Sequence, residues 1–229
     1  MGIIIKDLII KRGKKTIIDQ LNFEAKSGEI IGLIAPNGTG KTTFFNGVAH
    51  FIDSSYEELS MQNINYSNRT LFNKSFFFLE SSANLYEEMN TVDHLKLIKR
   101  LWKSPLSVNE IVSKLQMSNF QNLAVKKMSL GMKQHLLVAM YLISDAPILL
   151  FDEPLNGLDP SSIEIVNDIF KNLGESGKVI MISSHDIYNI QEVCNRVIFL
   201  KDKIFFEPLI QNNDIKKIYN DLYIKKEHI

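Results

Sequence analysis

Short apolar runs alternate along the chain with longer stretches whose apolar residues repeat at helical spacing. The short runs predict strands at Ile3–Ile10, Thr16–Phe23, Ile30–Ile34, Phe76–Leu79, Pro147–Phe151, Val179–Ser183 and Arg196–Leu200. The longer stretches predict helices at Lys41–Phe51, Thr91–Trp102, Val108–Leu115, Gly131–Ile143, Ser161–Leu173 and Tyr188–Cys194. Strands and helices that alternate in this order favour an α/β core with a largely parallel sheet.

Two regions depart from this alternation. The first two strands enclose a basic turn, Lys11–Lys15, which predicts an N-terminal antiparallel β-subdomain. Residues 84–143 are mainly helical and are expected to form a subdomain inserted into the core, with Thr91 as a helix cap. No linker or low-complexity tract divides the sequence, so residues 1–229 are predicted to form one domain, ending in a short charged helix or tail at Lys216–Ile229.

The composition is typical of a globular protein with a buried core, because 45% of the 229 residues are hydrophobic. Lys and Arg together number 26, as do Asp and Glu, so no general positive charge indicates nucleic-acid binding. The single cysteine, Cys194, excludes an intramolecular disulfide. The longest apolar region, Leu136–Ile143, is far shorter than the ~20 residues of a membrane-spanning helix, so any membrane role is expected to require a partner.

The stretch Gly32–Thr43 has the features of a phosphate-binding loop, since an apolar strand runs into a turn of small residues and then into a helix. Backbone N–H groups of such a turn converge on phosphate oxygens, and the helix N-terminus adds its dipole. Lys41 is expected to hold the terminal phosphates, and Thr42 to bind Mg²⁺ through its hydroxyl. The predicted nucleotide contacts are Asn37, Gly38, Thr39, Gly40, Lys41, Thr42 and Thr43.

Ala35 stands where the usual pattern of this loop has its first glycine. The loop is expected to keep its shape if Ala35 has an ordinary β conformation, because alanine lacks only easy access to positive φ.

Two carboxylates, Asp152 and Glu153, end the apolar run that begins at Pro147. They are expected at the edge where a parallel sheet binds its ligands. Asp152 is predicted to hold Mg²⁺, directly or through water, and Glu153 to orient and deprotonate a water facing the γ-phosphate. Because these acids complement a phosphate loop, the two motifs together predict hydrolysis of a nucleoside triphosphate.

Five blocks, in this order along the chain, resemble those of the ATP-binding cassette ATPases. They are the phosphate loop, a signature motif in Met128–Gln134, a second phosphate motif running into a D-loop in Asp152–Pro160, and a switch histidine in Ser183–Asp186. The resemblance covers nearly the whole chain. It implies a P-loop NTPase core that binds ATP with Mg²⁺ and hydrolyses it.

The resemblance also implies a partner, because two cassettes of this family enclose ATP head to tail. The partner would be a second cassette, identical or related. Ser129 and Gly131 of one signature would contact the γ-phosphate bound to the other chain, and Asp159 would link the two sites. His185 would contact that phosphate or the attacking water, and with Glu153 and Lys41 it completes the expected catalytic set.

Further positions depart from the family pattern. Arg12 stands where an aromatic residue usually stacks on adenine, and its guanidinium can either stack on the base or remain solvated. Glu80 stands near the usual metal-contacting glutamine and is expected to ligate Mg²⁺, with Ser81 as the alternative register. Leu130 replaces the first signature glycine, and His135 stands where arginine is common.

The leading hypothesis is the separate ATPase subunit of a membrane transporter. It would dock through its helical subdomain, around Glu80–Leu101, onto an integral permease at the cytoplasmic face of the cell membrane. The signature block most resembles exporters of antimicrobial peptides, drugs or related amphipathic compounds. Two alternatives remain, a soluble cassette ATPase acting on ribosomes or DNA and a nucleotide-binding scaffold that hydrolyses poorly.

Overall fold

The computed structural model of the protein describes residues 2–208 and 215–224. Its strands, in chain order, are β1 (Ile3–Arg12), β2 (Lys15–Ala25), β3 (Ile30–Ile34), β4 (Ser54–Ser55), β5 (Glu58–Met61), β6 (Ile64–Asn65), β7 (Phe76–Phe78), β8 (Ile148–Asp152), β9 (Val179–Ser184), β10 (Arg196–Lys201) and β11 (Ile204–Phe206).

The helices, in chain order, are α1 (Lys41–Val48), α2 (Arg69–Lys74), α3 (Thr91–Trp102), α4 (Val108–Lys114), α5 (Leu130–Ser144), α6 (Pro160–Glu175), α7 (Ile187–Val193) and α8 (Ile215–Tyr223). Short 3-10 turns occupy Ser82–Asn84 and Val125–Lys127. Within the described residues, no helix combines the length and apolar character needed to cross a membrane. The predicted C-terminal helix or tail is a helix in its first part, and its last residues, 225–229, lie outside the described residues.

A smaller sheet is built from the N-terminal half of the chain. Its strand order is β2-β1-β5-β6, with β4 also paired to β1, and every pairing is antiparallel. The predicted basic turn joins β1 and β2, where Arg12 pairs with Lys15. The antiparallel β-subdomain predicted from the sequence is therefore confirmed.

The larger sheet has the order β11-β10-β3-β9-β8-β7, and all of its pairings are parallel except that of β10 with β11. The largely parallel core is thus confirmed. The register pairs Ile34 with Ser184 and Asp152 with Ser183, so β3, β9 and β8 end at one level. The phosphate loop, the switch histidine and the two carboxylates follow these three strand ends.

Both faces of the larger sheet are buried, which explains why its strands are continuous apolar runs rather than alternating ones. Along β8, Leu149 and Phe151 belong to the core on the side of α5 and α6. Ile148 and Leu150 belong to the core that α1 and the smaller sheet cover. The side chains of β3, β7, β9 and β10 divide between the two cores in the same way.

Several elements were not predicted from the sequence: β4, β5, β6, α2 and β11. All are short, and the strands among them are defined by pairing with β1, β5 or β10 rather than by an apolar period of their own. The helical character predicted for residues 84–143 agrees with α3, α4 and α5, although the division into subdomains remains a prediction.

The expected cap of α3 was wrong by one residue. Asn90, not Thr91, is the N-cap, because its side chain accepts a hydrogen bond from the Asp93 N–H at 3.0 Å. The Asp93 carboxylate in turn accepts one from the Asn90 N–H at 3.3 Å, which completes a capping box. Trp102, at the end of this helix, is half-buried and packs edge-on against Phe77 at 4.9 Å.

Tyr141 of α5 joins the helical region to the sheet. Its ring stacks on Phe151 with centroids 3.9 Å apart, and its hydroxyl donates to the Leu150 carbonyl at 2.6 Å. The Leu79 N–H donates to the same hydroxyl at 3.0 Å. Burial raises the pKa of Tyr141, so the hydroxyl keeps its proton. One side chain therefore ties α5 to β8 and to the segment that leaves β7.

We expect Tyr141→Phe to lower the free energy of unfolding by about 1–3 kcal/mol, because the Leu79 N–H and the Leu150 carbonyl lose a buried partner. Urea unfolding followed by circular dichroism measures this. Tyr86→Phe is the matched control, since it deletes the same hydroxyl from a ring that is 62% exposed. Equal stability of both variants would show that the buried hydroxyl contributes nothing.

Candidate active site

A cavity of about 480 Å³ opens between the basic turn, the phosphate loop and the end of β8. Most of the predicted nucleotide and metal contacts line it: Arg12, Asn37, Gly38, Gly40, Lys41, Thr42, Thr43 and Asp152. The predicted catalytic residue Glu153 lines it as well. Lys15 and Ile17 also line it, although the sequence did not indicate them. Thr39 is turned into the loop itself, where its hydroxyl donates to the Pro36 carbonyl at 2.8 Å.

Two glycines give the phosphate loop its path. Gly38 has φ 78° and Gly40 has φ 121°, both in the left-handed region that favours glycine. A Cβ on Gly40 would also lie only 2.5 Å from Cγ2 of Ile17. Ala35 is not among the residues with positive φ, so alanine is compatible with the loop, as expected from the sequence.

The N-terminus of α1 has no side-chain cap. Its N-cap residue is Gly40, and no side chain accepts a hydrogen bond from the first turn, where the N–H groups of residues 41–43 have no partner within the helix. Helices α3, α4, α5, α6 and α7 differ, because each begins with a side-chain cap, from Asn90, Ser107, Ser129, Asp159 and Asp186 respectively. The α1 terminus, which faces the cavity, is therefore ready to accept an anion.

Lys41 supplies a buried positive charge to the cavity. Its side chain is only 6% exposed, and its Nζ donates to the Ala35 carbonyl at 2.7 Å. The Nζ also lies 3.4 Å from Oε1 of Glu153. An ammonium with donors to spare beside uncapped backbone N–H groups fits the terminal phosphates of a nucleotide.

Glu153 is held by its backbone while one of its oxygens remains available. Its N–H donates to both the carbonyl and the hydroxyl of Ser183, at 3.1 Å each, and its φ is 50°. Among the described residues, its buried Oε1 has no hydrogen-bond partner. A buried carboxylate oxygen in that condition is suited to accept a hydrogen bond from a bound water.

Asp152 and Thr42, two of the three predicted metal ligands, are in direct contact. The Thr42 hydroxyl donates to Oδ2 of Asp152 at 2.5 Å, and the Ser183 hydroxyl donates to Oδ1. Burial raises the pKa of Asp152, as does the nearby charge of Glu153, whereas the two hydroxyls and Lys41 act in the opposite direction. A divalent cation would favour the charged form, and this pair of hard oxygen atoms suits Mg²⁺.

His185 follows β9 and joins the same group. Its Nδ1 lies 3.0 Å from Oε2 of Glu153, and the side chain is about half exposed. The fold therefore brings together Lys41, Asp152, Glu153 and His185, which are far apart in the sequence.

Ser129, Gly131 and Asp159 lie outside the cavity lining, but they are close to one another through their neighbours. A Cβ on Gly131 would lie 3.0 Å from the Gly157 carbonyl oxygen. Asp159 caps α6 and accepts from the Ser162 N–H at 3.0 Å. Ser129 caps α5, where the Met132 N–H donates to its hydroxyl at 3.2 Å, so this N–H group is already bonded within its own chain.

Glu80 and Ser81 do not line the cavity. Glu80 is exposed, two residues beyond the pairing of Phe78 with Leu150, and so stands near the level of Asp152 at the sheet edge. The Ser81 hydroxyl accepts from the Ala83 N–H at 3.3 Å. Which of the two contacts the metal remains a prediction.

Sequence reasoning assigned no role to Ser183, yet it holds both carboxylate residues. A signal was present, because Ser183 is a polar residue at the end of an apolar strand and belongs to the switch block. Its two hydrogen-bond partners could not be identified without the register of β8 and β9.

Comparison with known proteins agrees with this arrangement. Residues 18–156 match the profile of the family described as "ABC transporter". The chain is 28% identical to the "Lantibiotic transport ATP-binding protein SrtF" of Streptococcus pyogenes, over 95% of each chain. It is 31% identical to an uncharacterized ABC transporter ATP-binding protein of Methanocaldococcus jannaschii, over 82% of this chain and 70% of the relative.

Solved structures share the fold. The ATP-binding subunit of an ABC transporter superposes with a TM-score of 0.83 at 20% identity, over 97% of this chain and 95% of the other. A dimeric ATP-binding cassette in a post-hydrolysis state with ADP and phosphate superposes with a TM-score of 0.75 at 22% identity, over 90% of this chain and 98% of the other.

We expect Lys41→Ala to weaken binding of a magnesium nucleoside triphosphate by roughly 10- to 100-fold, because hydrogen bonds from an ammonium to phosphate oxygens are lost. Isothermal titration calorimetry measures the affinity. Lys14→Ala is the matched control, since Lys14 is an exposed lysine of the neighbouring basic turn and does not line the cavity. Equal affinities of the two variants would remove Lys41 from the phosphate site.

Proposed function

Because the chain belongs to the ABC transporter family, we propose that it is the ATP-binding and ATP-hydrolysing subunit of a membrane exporter of peptides or similar amphipathic compounds. The observation that carries this proposal is the cavity that Lys41, Asp152 and Glu153 line at an uncapped helix N-terminus, with His185 in contact with Glu153. The choice of exported compound rests on the similarity to a lantibiotic transport protein over 95% of both chains.

Mg-ATP fits the residues that line this cavity. The N–H groups of the phosphate loop and the Lys41 ammonium would hold the phosphates, and Arg12 would lie beside the base. Thr42 and Asp152 would hold Mg²⁺, which offsets phosphate charge and polarises the γ-phosphate when bound. Glu80 or Ser81 would complete the metal contacts from the end of β7.

Glu153 would act as the general base. Its Oε1 accepts no hydrogen bond from the described residues, although the Lys41 ammonium lies 3.4 Å away, and so can accept a proton from the attacking water. The position of Glu153 is fixed by the two hydrogen bonds from its N–H to Ser183. His185, 3.0 Å from the other carboxylate oxygen, would orient that water or contact the γ-phosphate. Positioning of this kind contributes typically ~10² to 10⁴ to the rate of proton transfer.

A second cassette would complete the site. Ser129, Gly131 and Asp159 lie away from the cavity of their own chain, which agrees with residues that serve the nucleotide of a partner. The partner is an identical or a related cassette, and Ser129 would reach the γ-phosphate that the partner binds.

The helical region, around Glu80–Leu101, would dock onto an integral permease and so hold the chain at the cytoplasmic face of the membrane. It exposes large apolar side chains that suit such a contact, namely Tyr86 at 62% and Leu101 at 54%. The alternative of a weakly hydrolysing scaffold gains no support from Ala35, because the backbone of this residue is compatible with an intact phosphate loop.

Glu153→Gln tests the catalytic assignment. We expect ATP turnover to fall at least ~100-fold while Mg-ATP binding persists, because glutamine has the same size but cannot accept the proton. Glu192→Gln, at an exposed acid of α7, is the control and should keep normal turnover. Near-normal turnover by Glu153→Gln would overturn the assignment.

The same variant reports on the partner. A cassette that binds ATP without cleaving it should persist as a closed dimer with Mg-ATP, which light scattering detects, and the added Ser129→Arg change should abolish that dimer. A monomer at saturating Mg-ATP would contradict pairing with an identical chain and leave a related cassette as the partner.

Docking onto a permease is tested by co-purification from detergent-solubilised membranes of the native host. We expect a polytopic membrane protein to accompany the tagged chain, and Tyr86→Ala to reduce its amount because exposed apolar contact area is lost. Ile204→Ala is the control, since Ile204 is 49% exposed on β11, at the opposite end of the sheet from β7. A chain that hydrolyses ATP but accompanies no such protein would contradict docking.

A further inference from the structure

The first turns of α5 lie directly against the 154–159 loop, the segment that joins β8 to α6. A Cβ on Gly131 would lie 3.0 Å from the Gly157 carbonyl oxygen, and a Cβ on Gly157 would lie 2.7 Å from Cδ2 of Leu130. The buried Gln134 amide donates to the Pro154 carbonyl at 2.6 Å. The residues expected to meet a partner's nucleotide, at the start of α5 and in this loop, are therefore held as one unit.

His135, the next residue along α5, reaches the far end of the same loop. Its Nε2 lies 2.9 Å from the Ser162 hydroxyl oxygen, which in turn lies 2.8 Å from Oδ2 of Asp159. Its Nδ1 lies 3.1 Å from the carbonyl of Leu115, at the end of α4. The His135 imidazole thus connects α5, to which it belongs, with the end of α4 and with the N-cap of α6.

These contacts need more hydrogens than a neutral imidazole supplies, because it carries only one N–H. If Nδ1 carries it, Nε2 must accept the Ser162 hydrogen, and the Ser162 and Asp159 oxygens then face each other at 2.8 Å without a proton between them. If Nε2 carries it, the lone pair of Nδ1 faces the Leu115 carbonyl oxygen. Only the imidazolium, with two N–H groups, satisfies all three contacts.

We propose that His135 is a positioning residue whose protonated form joins α4, α5 and the 154–159 loop, and whose neutral form leaves one of these contacts unpaired. Arginine, common at this position in the family that the signature resembles, would donate to both acceptors at any pH. With histidine, this link between α4, α5 and the 154–159 loop, here called the His135 junction, depends on one proton. The consequence for catalysis rests on the ATPase function proposed above, because the loop would have to hold its place for a second cassette to close on it.

The surroundings of the imidazole set where it takes up that proton. Burial lowers the pKa of His135 below its ordinary value of 6.5, while the Leu115 carbonyl and the charge of Asp159 act in the opposite direction. Phe120 presents its ring edge-on at 6.3 Å. The other charged groups on the adjoining helices are exposed or half-buried and are not among the causes of this shift: Glu110 and Lys114 of α4, Lys133 of α5, and Glu164, Asp168, Lys171 and Glu175 of α6. The neutral form of His135 therefore prevails at neutral pH. Acidification protonates the imidazole, which then donates to both the Ser162 hydroxyl and the Leu115 carbonyl.

Nuclear magnetic resonance titration of the histidine side chains in the full chain tests the junction without ATPase activity. We expect the His135 signal, identified by its loss in His135→Gln, to titrate below pH 6.5. Ser162→Ala should lower the midpoint further, because the imidazolium loses the acceptor that connects it to Asp159. Ser161→Ala is the matched control. The Ser161 hydroxyl also donates to the Asp159 carboxylate, at 2.5 Å from Oδ1, but it makes no hydrogen bond with the imidazole.

His50, on the far side of the sheet, has its pKa lowered by burial and by Arg69, and serves as an internal reference that neither serine variant should move. An unchanged His135 midpoint in Ser162→Ala, or an equal shift in Ser161→Ala, would overturn the proposed junction.

The kinetic consequence is tested with His135→Arg. As the pH rises through the His135 midpoint found in the titration, the ratio of kcat of the unaltered protein to that of the arginine variant should fall from near one to roughly one third, with KM for Mg-ATP unchanged. The ratio cancels other titrations that both proteins share. When both proteins also carry Ser162→Ala, the pH-dependent difference in kcat between histidine and arginine at position 135 should vanish.

A ratio that does not vary with pH, or a difference that survives in the Ser162→Ala background, would show that His135 does not position the loop for catalysis. If the unaltered protein has no ATPase activity, the proposed function fails while the titration still decides the junction itself.

Discussion

The parallel register of β3, β9 and β8 is the constraint on which the site depends. The pairing of Ile34 with Ser184 and of Asp152 with Ser183 makes three strands end at one level. The residues at the end of each strand therefore lie at the same edge of the sheet: the phosphate loop after β3, the histidine after β9 and the two carboxylates at the end of β8. A slip of one residue in this register would turn Ser183 away from Asp152, since side chains alternate between the faces of a strand.

Opposite charges that would be costly to bury separately are placed together around this edge. The Lys41 ammonium lies 3.4 Å from Glu153, and the Thr42 and Ser183 hydroxyls donate to Asp152. The hydroxyls stabilise the charged form of Asp152 against burial, which acts the other way. The cavity therefore keeps two carboxylates close together, and a magnesium ion and a triphosphate would introduce charges of both signs between them.

Much of this could be predicted from the sequence, for reasons that are local. Apolar runs such as Ile148–Phe151 identify buried strands, and glycines at positions 38 and 40 identify a turn that needs positive φ. Features that depend on pairing between distant segments could not be predicted: β4 exists only beside β1, Tyr141 reaches Leu79 across 62 residues, and Ser183 receives its role from strand register. The misplaced cap of α3 has a different cause, because adjacent Asn90 and Thr91 are both good capping residues and the reciprocal Asp93 decides between them.

The left-handed backbone of Glu153 has a consequence for how this site can change over time. A non-glycine residue at φ 50° carries strain that its hydrogen bonds to Ser183 must maintain, and β-branched residues there would be especially unfavourable. Asparagine and aspartate tolerate this region better than most residues. Drift at this codon is therefore restricted: a lineage that loses the glutamate can accept asparagine or glycine with little damage to the fold. Under the proposed function, such a cassette would still bind its nucleotide but would lack the carboxylate that accepts the proton.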